Sequence, residues 1–100
     1  MGRFKNESTK NPITDWLETQ EFKFSSAVKG HSGHYKIYNN KRGFEVWVTI
    51  NLSEKKIYLY ECLDCGGMIK EDAIDIKDMW LDDLDTFIDA VDEKVEPWIA

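Results

Sequence analysis

The stretch Phe44 to Glu61, FEVWVTINLSEKKIYLYE, restricts the fold of this chain more than any other segment. Phe44, Val46, Val48, Ile50 and Leu52 alternate with Glu45, Trp47, Thr49 and Asn51. Side chains along a strand point to opposite faces in turn, so the first set is a core face and the second an outer face. The next run, Lys56 to Cys62, is again rich in strand formers, with Ile57 and Leu59 on one face and Tyr58 and Tyr60 on the other. A tight connection through Ser53 and Glu54 puts Ile50 opposite Ile57, Val48 opposite Leu59, Thr49 by Tyr58 and Trp47 by Tyr60. Both faces then match, which is what fixes a register. Ser-Glu is not a preferred two-residue turn, and a four-residue loop, Leu52 to Lys55, keeps the same pairing.

The remaining segments are placed against this hairpin. Residues 1–10 are polar and basic apart from Phe4 and read as a flexible N-terminus; residues 11–100 read as one α+β domain. Asn11-Pro12 is a helix start, and Ile13, Trp16 and Leu17 share a face of a short helix over about 12–20. Phe22, Phe24 and the run Ser25–Val28 read at most as an edge strand and are left out of the strand count. Gly30-His31-Ser32-Gly33 reads as a loop. His34 to Asn39 reads as a strand, with Tyr35 and Ile37 on one face and Lys36 and Tyr38 on the other, and Asn39 to Gly43 as a turn. Gly66-Gly67 suits a hairpin loop, followed by a last strand from Met68 to Ile76 with a break near Glu71-Asp72.

A long helix from about Asp78 to Glu96, stopped by Pro97, closes the chain. Its apolar residues Trp80, Leu81, Leu84, Phe87, Ile88, Val91 and Val95 cover an arc of about 120°. That width suits packing on a sheet better than a coiled-coil seam. The expected fold is therefore a four-stranded antiparallel meander with a short N-terminal helix and a long amphipathic C-terminal helix on its core face.

Net charge is −6 over 100 residues, and it is uneven. Residues 1–60 hold ten Lys/Arg against six Asp/Glu, and residues 61–100 three against thirteen. Such asymmetry points to a charged partner. Two cysteines form no disulfide framework, no apolar run is long enough for a bilayer, and the first residues lack a signal-peptide core. A cytoplasmic protein without membrane contact is expected.

Three constellations compete for function. His31-x-x-His34 with Cys62-x-x-Cys65 has the spacing of a zinc site. In a meander, however, the first strand starts at the end opposite to where the third finishes, which separates His34 from Cys62 by on the order of 20 Å. No metal or other cofactor is expected. The second constellation is Lys36, Tyr38, Trp47, Thr49, Tyr58 and Tyr60, grouped as an outer sheet face that can stack bases and hold phosphates, or anchor a protein. Cover by the N-terminal helix, through Trp16 and Leu17, is the structural alternative. The third is the acidic side of the last helix: Asp82, Asp85, Asp89, Asp92, Glu93 and Glu96. Acids in the last turns oppose the helix dipole by ~0.3–1 kcal/mol each, and Asp85 with Asp89 is a like-charge i, i+4 pair. A local rule broken repeatedly without structural gain suggests a functional cause.

In the order of its last five elements, four strands then a helix over residues 34–96, the chain resembles the PC4-type single-stranded-DNA-binding fold. The strand Ala73-Ile74-Asp75-Ile76 followed by a helix that opens with aromatic Trp80 carries the same resemblance. It implies nucleic-acid binding through the sheet face, using Lys36, Tyr38, Trp47, Tyr58 and Tyr60, with the acidic helix turned away or at a homodimer interface.

No P-loop, glycine-rich dinucleotide fingerprint, nucleophile elbow or His-Glu-x-x-His sequence occurs. The leading expectation is a non-enzymatic acidic interaction protein. Its partner would be the basic surface of a nucleic-acid-processing protein, as for a phage-type anti-CRISPR or anti-restriction inhibitor.

Overall fold

The computed structural model describes residues 12–63, 67–76 and 83–100. Its elements are α1 (Pro12–Thr19), β1 (Lys23–Val28), β2 (His31–Asn39), β3 (Glu45–Asn51), β4 (Lys56–Cys62), β5 (Met68–Asp75) and α2 (Leu84–Ile99). The central hairpin has the expected register: Ile50 faces Ile57, Val48 faces Leu59, Thr49 faces Tyr58 and Trp47 faces Tyr60, across a four-residue loop. The expected flexible N-terminus and the start of the last helix before Asp83 lie outside the described residues.

The sheet has five antiparallel strands in chain order, not four. Lys23–Val28 is a full strand because His31–Gly33 is not a loop but the beginning of β2. Val28 pairs with His31 across Lys29-Gly30, whose φ angles are both positive (53° and 86°). Such a turn matches the twist of the flanking strands, and only its second residue is the usual glycine. β5 runs unbroken past Glu71-Asp72 as an exposed edge, with one register shift where it meets the end of β4.

The core forms on one face of the sheet. Val46, Val48 and Ile50 from β3 and Ile57 and Leu59 from β4 pack against Ile13 and Leu17 of α1 and Phe87, Val91 and Val95 of α2. Both helices therefore share this face, and α1 does not cover the other one. Trp16 meets Phe87 edge-on, with ring centroids 6.2 Å apart. α1 ends in a Schellman arrangement: Phe22 N–H reaches the Leu17 carbonyl, and Glu21 N–H the Glu18 carbonyl. This forces Glu21 to a left-handed φ of 72°, where glycine is usual.

α2 departs from expectation at both ends. Asp83 is extended (φ −117°, ψ 99°) and caps the helix by accepting from Thr86 N–H, so the helix begins at Leu84 rather than Asp78. Pro97 does not stop it; the helix continues to Ile99. Proline in the last turn removes one backbone donor. In return Trp98 and Ile99 pack against the core, and the Lys70 ammonium sits 4.2 Å from the Trp98 ring.

Glu61 lies on the core face, opposite Val46, with its side chain 2% exposed. It is neutralised by Arg42, which also hydrogen-bonds to it, and accepts from Asn40 Nδ2 at 2.6 Å. Asn40 itself orders the β2–β3 loop: its Oδ1 accepts from the N–H groups of Arg42 and Phe44, both at 3.0 Å.

Candidate interaction surfaces

The solvent side of α2 presents Asp85, Asp89, Asp92, Glu93 and Glu96, all exposed. Asp82 lies outside the described residues. Lys94 is the only basic residue between Leu84 and Ile99. Two ion pairs occur among the described residues, His34–Glu18 and Arg42–Glu61, and neither reaches α2. The carboxylates are thus left to repel each other, and Glu96, in the last turn, also opposes the helix dipole.

Asp92 registers this strain. Partial burial, then the charges of Asp89 and Glu96, raise its pKa above the ordinary carboxylate value. A carboxyl with a raised folded-state pKa binds more protons folded than unfolded, so the stability it contributes falls as pH rises through that window. Asp92→Asn is therefore expected to raise the melting temperature at pH 7. The gain should shrink once pH falls below the usual carboxylate range, where both states are protonated. Thermal melts at pH 7 and pH 3 check this; a lower melting temperature at pH 7 contradicts it.

A cleft of ≈ 330 Å³ adjoins this strip, lined by Trp16, Gln20, Phe22, Tyr38, Val91, Asp92, Val95, Glu96 and Ile99. Three elements build it. α1 and its cap supply Trp16 and Gln20, β2 supplies Tyr38, and successive turns of α2 supply Val91, Val95 and Ile99 at helical spacing. Aromatic and aliphatic walls meet two carboxylates at the mouth. The Tyr38 hydroxyl is pushed to a higher pKa by burial and then by the Asp92 charge. None of the wall residues Trp16, Gln20, Phe22 or Ile99 was separable from core or loop by sequence pattern. They converge only through the packing of α1 beside α2.

The aromatic sheet face differs from the expected one. Lys36 pairs with Val48 and Tyr38 with Val46, so both lie on the core side, beside the helices. There Lys36 Nζ donates to the Gln20 carbonyl at 2.7 Å and sits 5.0 Å from the Tyr38 ring centroid. The opposite face carries Trp47, Tyr58 and Tyr60, joined by Tyr35 and His31. His31 stacks on Tyr58 with centroids 3.6 Å apart and shares a 2.5 Å hydrogen bond with the Tyr60 hydroxyl. Tyr35 stacks on Trp47, and Lys29 Nζ lies 4.7 Å from the Trp47 ring centroid. Thr49, between Tyr35 and Tyr58, is fully buried and its hydroxyl has no hydrogen-bond partner among the described residues. Tyr58 donates to Glu54 at 2.7 Å, and this bond, with smaller contributions from burial and nearby charge, pushes its pKa to about 12.

No described element covers this face. Its charge is mixed, because Glu71 and Asp72 border the depression beside Tyr58 and Tyr60.

The two histidines and Cys62 do not converge. His31 and His34 alternate onto opposite faces of β2. His34 pairs with Ile50, whereas Cys62 pairs with Glu45, the partner of Asn39. The offset of five residue steps along the sheet separates them by roughly 17 Å. Cys65 lies outside the described residues, and among those described no three His, Cys, Asp or Glu side chains are placed to hold a metal ion. Nor, among them, is any helix long and apolar enough to cross a membrane.

Comparison with protein-family models, with curated proteins and with solved structures finds no match for this chain.

Proposed function

We propose that this is a non-enzymatic acidic interaction protein that docks α2 onto a basic surface of a nucleic-acid-processing protein, in the manner of a phage-type anti-CRISPR or anti-restriction inhibitor. The observation that carries the reading is the strip Asp85, Asp89, Asp92, Glu93 and Glu96, with Lys94 as its one basic neighbour in the helix and no ion pair to any described residue. A fold that keeps such repulsion gains from it when a positive surface arrives. Complementary potentials raise association rates and exclude wrong partners. The strip lies on a helix fixed by Phe87, Val91 and Val95 in the core, so little ordering is needed on binding.

The triple reversal Asp85→Lys, Asp89→Lys and Asp92→Lys is expected to abolish capture of a basic nucleic-acid-binding protein while circular dichroism stays native and the melting temperature does not fall. Undiminished capture by the folded triple variant contradicts the reading.

A second reading takes the sheet face that no described element covers as a single-stranded nucleic-acid platform. Trp47 beneath Lys29 favours it. With Lys36 on the other side, that face keeps Trp47, Tyr58 and Tyr60 from the original set and gains Tyr35 and His31. This reading requires single-stranded DNA binding at low salt that weakens steeply as salt is added.

A further inference from the structure

The cleft beside α2 has a composition that a plain acidic surface lacks. Phe22, Val91 and Val95 are buried at its base, while Trp16, Tyr38 and Ile99 are half-buried along its walls. Asp92, Glu96 and the exposed Gln20 stand at its rim. An apolar recess closed by two carboxylates selects against neutral apolar groups, which leave the acids unpaired, and against short cations, which leave the walls wet. It suits a group with a hydrocarbon stem of several carbons that ends in a positive charge.

We infer that the cleft receives a single lysine or arginine side chain of the bound protein, its methylene stem against Trp16, Phe22 and Val95 and its charge between Asp92 and Glu96. The inference rests on the proposed docking of α2 to a basic protein, and it names the anchor of that contact. The rest of the strip, Asp85, Asp89 and Glu93, then acts at longer range through charge alone. An interface in which one buried anchor carries most of the affinity and surrounding charges carry little is the usual pattern.

The probe is a fluorescently labelled lysine decapeptide, titrated at low salt into the full chain and three variants. Gln20→Trp fills the mouth of the cleft from an exposed position and leaves charge unchanged. Asp92→Asn/Glu96→Gln and Asp85→Asn/Glu93→Gln each remove two carboxylates, the first pair in the cleft and the second outside it. Thermal melts confirm that each variant is folded.

Gln20→Trp and the cleft pair should each weaken binding about tenfold, as loss of a buried stem and its charge contact requires. The outer pair should weaken it only about two- to threefold, the usual range for exposed charges. A decapeptide of 2,4-diaminobutyrate, equal in charge but two methylenes shorter in each side chain, should bind the unmodified protein as weakly as the lysine peptide binds Gln20→Trp. If Gln20→Trp binds like the unmodified protein, or the two charge pairs lose equally, the cleft is not the anchor and the acidic docking face stands alone. If the unmodified protein does not bind the lysine decapeptide at low salt, the proposed docking of α2 fails with it.

Discussion

Replacing Gly33 by alanine is expected to destabilise the protein by about 3–5 kcal/mol. Gly33 has φ +144°, a conformation that L side chains rarely adopt. A β-carbon built there would lie 2.5 Å from the Ile50 carbonyl oxygen and 3.1 Å from the Asn51 α-carbon. Both contacts are with the β3 backbone at the centre of the sheet, which cannot retreat without breaking the pairing of His34 with Ile50. Backbone strain of roughly 1–3 kcal/mol and an overpacking cost of similar size therefore add. Gly43 supplies the control: its φ is +85°, but nothing lies within 4 Å of the added carbon. Gly43→Ala should cost only about 1–2 kcal/mol. Urea unfolding of the two variants measures the contrast, and equal losses contradict the close approach of β2 to β3.

Asn40→Ala is expected to cost about 3 kcal/mol. Asn40 is 6% exposed and every polar atom of its side chain is used. Its Oδ1 holds the loop through Arg42 and Phe44, while Nδ2 donates to Glu61 at 2.6 Å and to the Trp98 carbonyl at 3.4 Å. Alanine abolishes all four bonds and leaves the buried Glu61 carboxylate to Arg42 alone. A hydrogen bond to a buried charge is worth about 1.5–3 kcal/mol, and the loop amides add to this. For a chain of this size the loss lowers the melting temperature by roughly 15 °C. Calorimetry decides, and a drop of only a few degrees would show that Arg42 and solvent suffice for Glu61.

These two sites explain why parts of the fold were legible in the sequence and others were not. The β3–β4 register was readable because both faces carry matched sets, Ile50 with Ile57 inside and Thr49 with Tyr58 outside. The position of β2 was harder. Composition groups Lys36 and Tyr38 with Trp47, Tyr58 and Tyr60, but facing is decided by the loop. Five residues, Asn40 to Phe44, separate the paired Asn39 and Glu45. An odd loop pairs even-numbered residues with even, which carries Lys36 and Tyr38 to the side of Val46 and Val48. The loop length depends on Asn40, whose reach to Glu61 and Trp98 is not a local property.

β1 is hard to read from sequence because its turn is Lys29-Gly30 rather than an asparagine- or aspartate-led pair, and because Gly33 resembles a loop residue. It is instead a place where two backbones meet. Pro97 looked like a stop because the burial of Trp98 and Ile99 beyond it depends on the tertiary core. The acidic face of α2 from Asp85 onward was visible from helical spacing alone. The cleft beside it was not, since Trp16 and Phe22 carry the same pattern as ordinary core residues.

In the proposed interaction, α2 and its cleft form the face that meets a partner. The most direct test is an amide and indole NMR map of the isotopically labelled protein as the lysine decapeptide is added at low salt. The account predicts shifts along Asp85 to Glu96 and at the Trp16 indole, with Trp47, Tyr58 and Tyr60 unmoved. Shifts confined to the sheet face around Trp47, Tyr58 and Tyr60, with α2 silent, would contradict it.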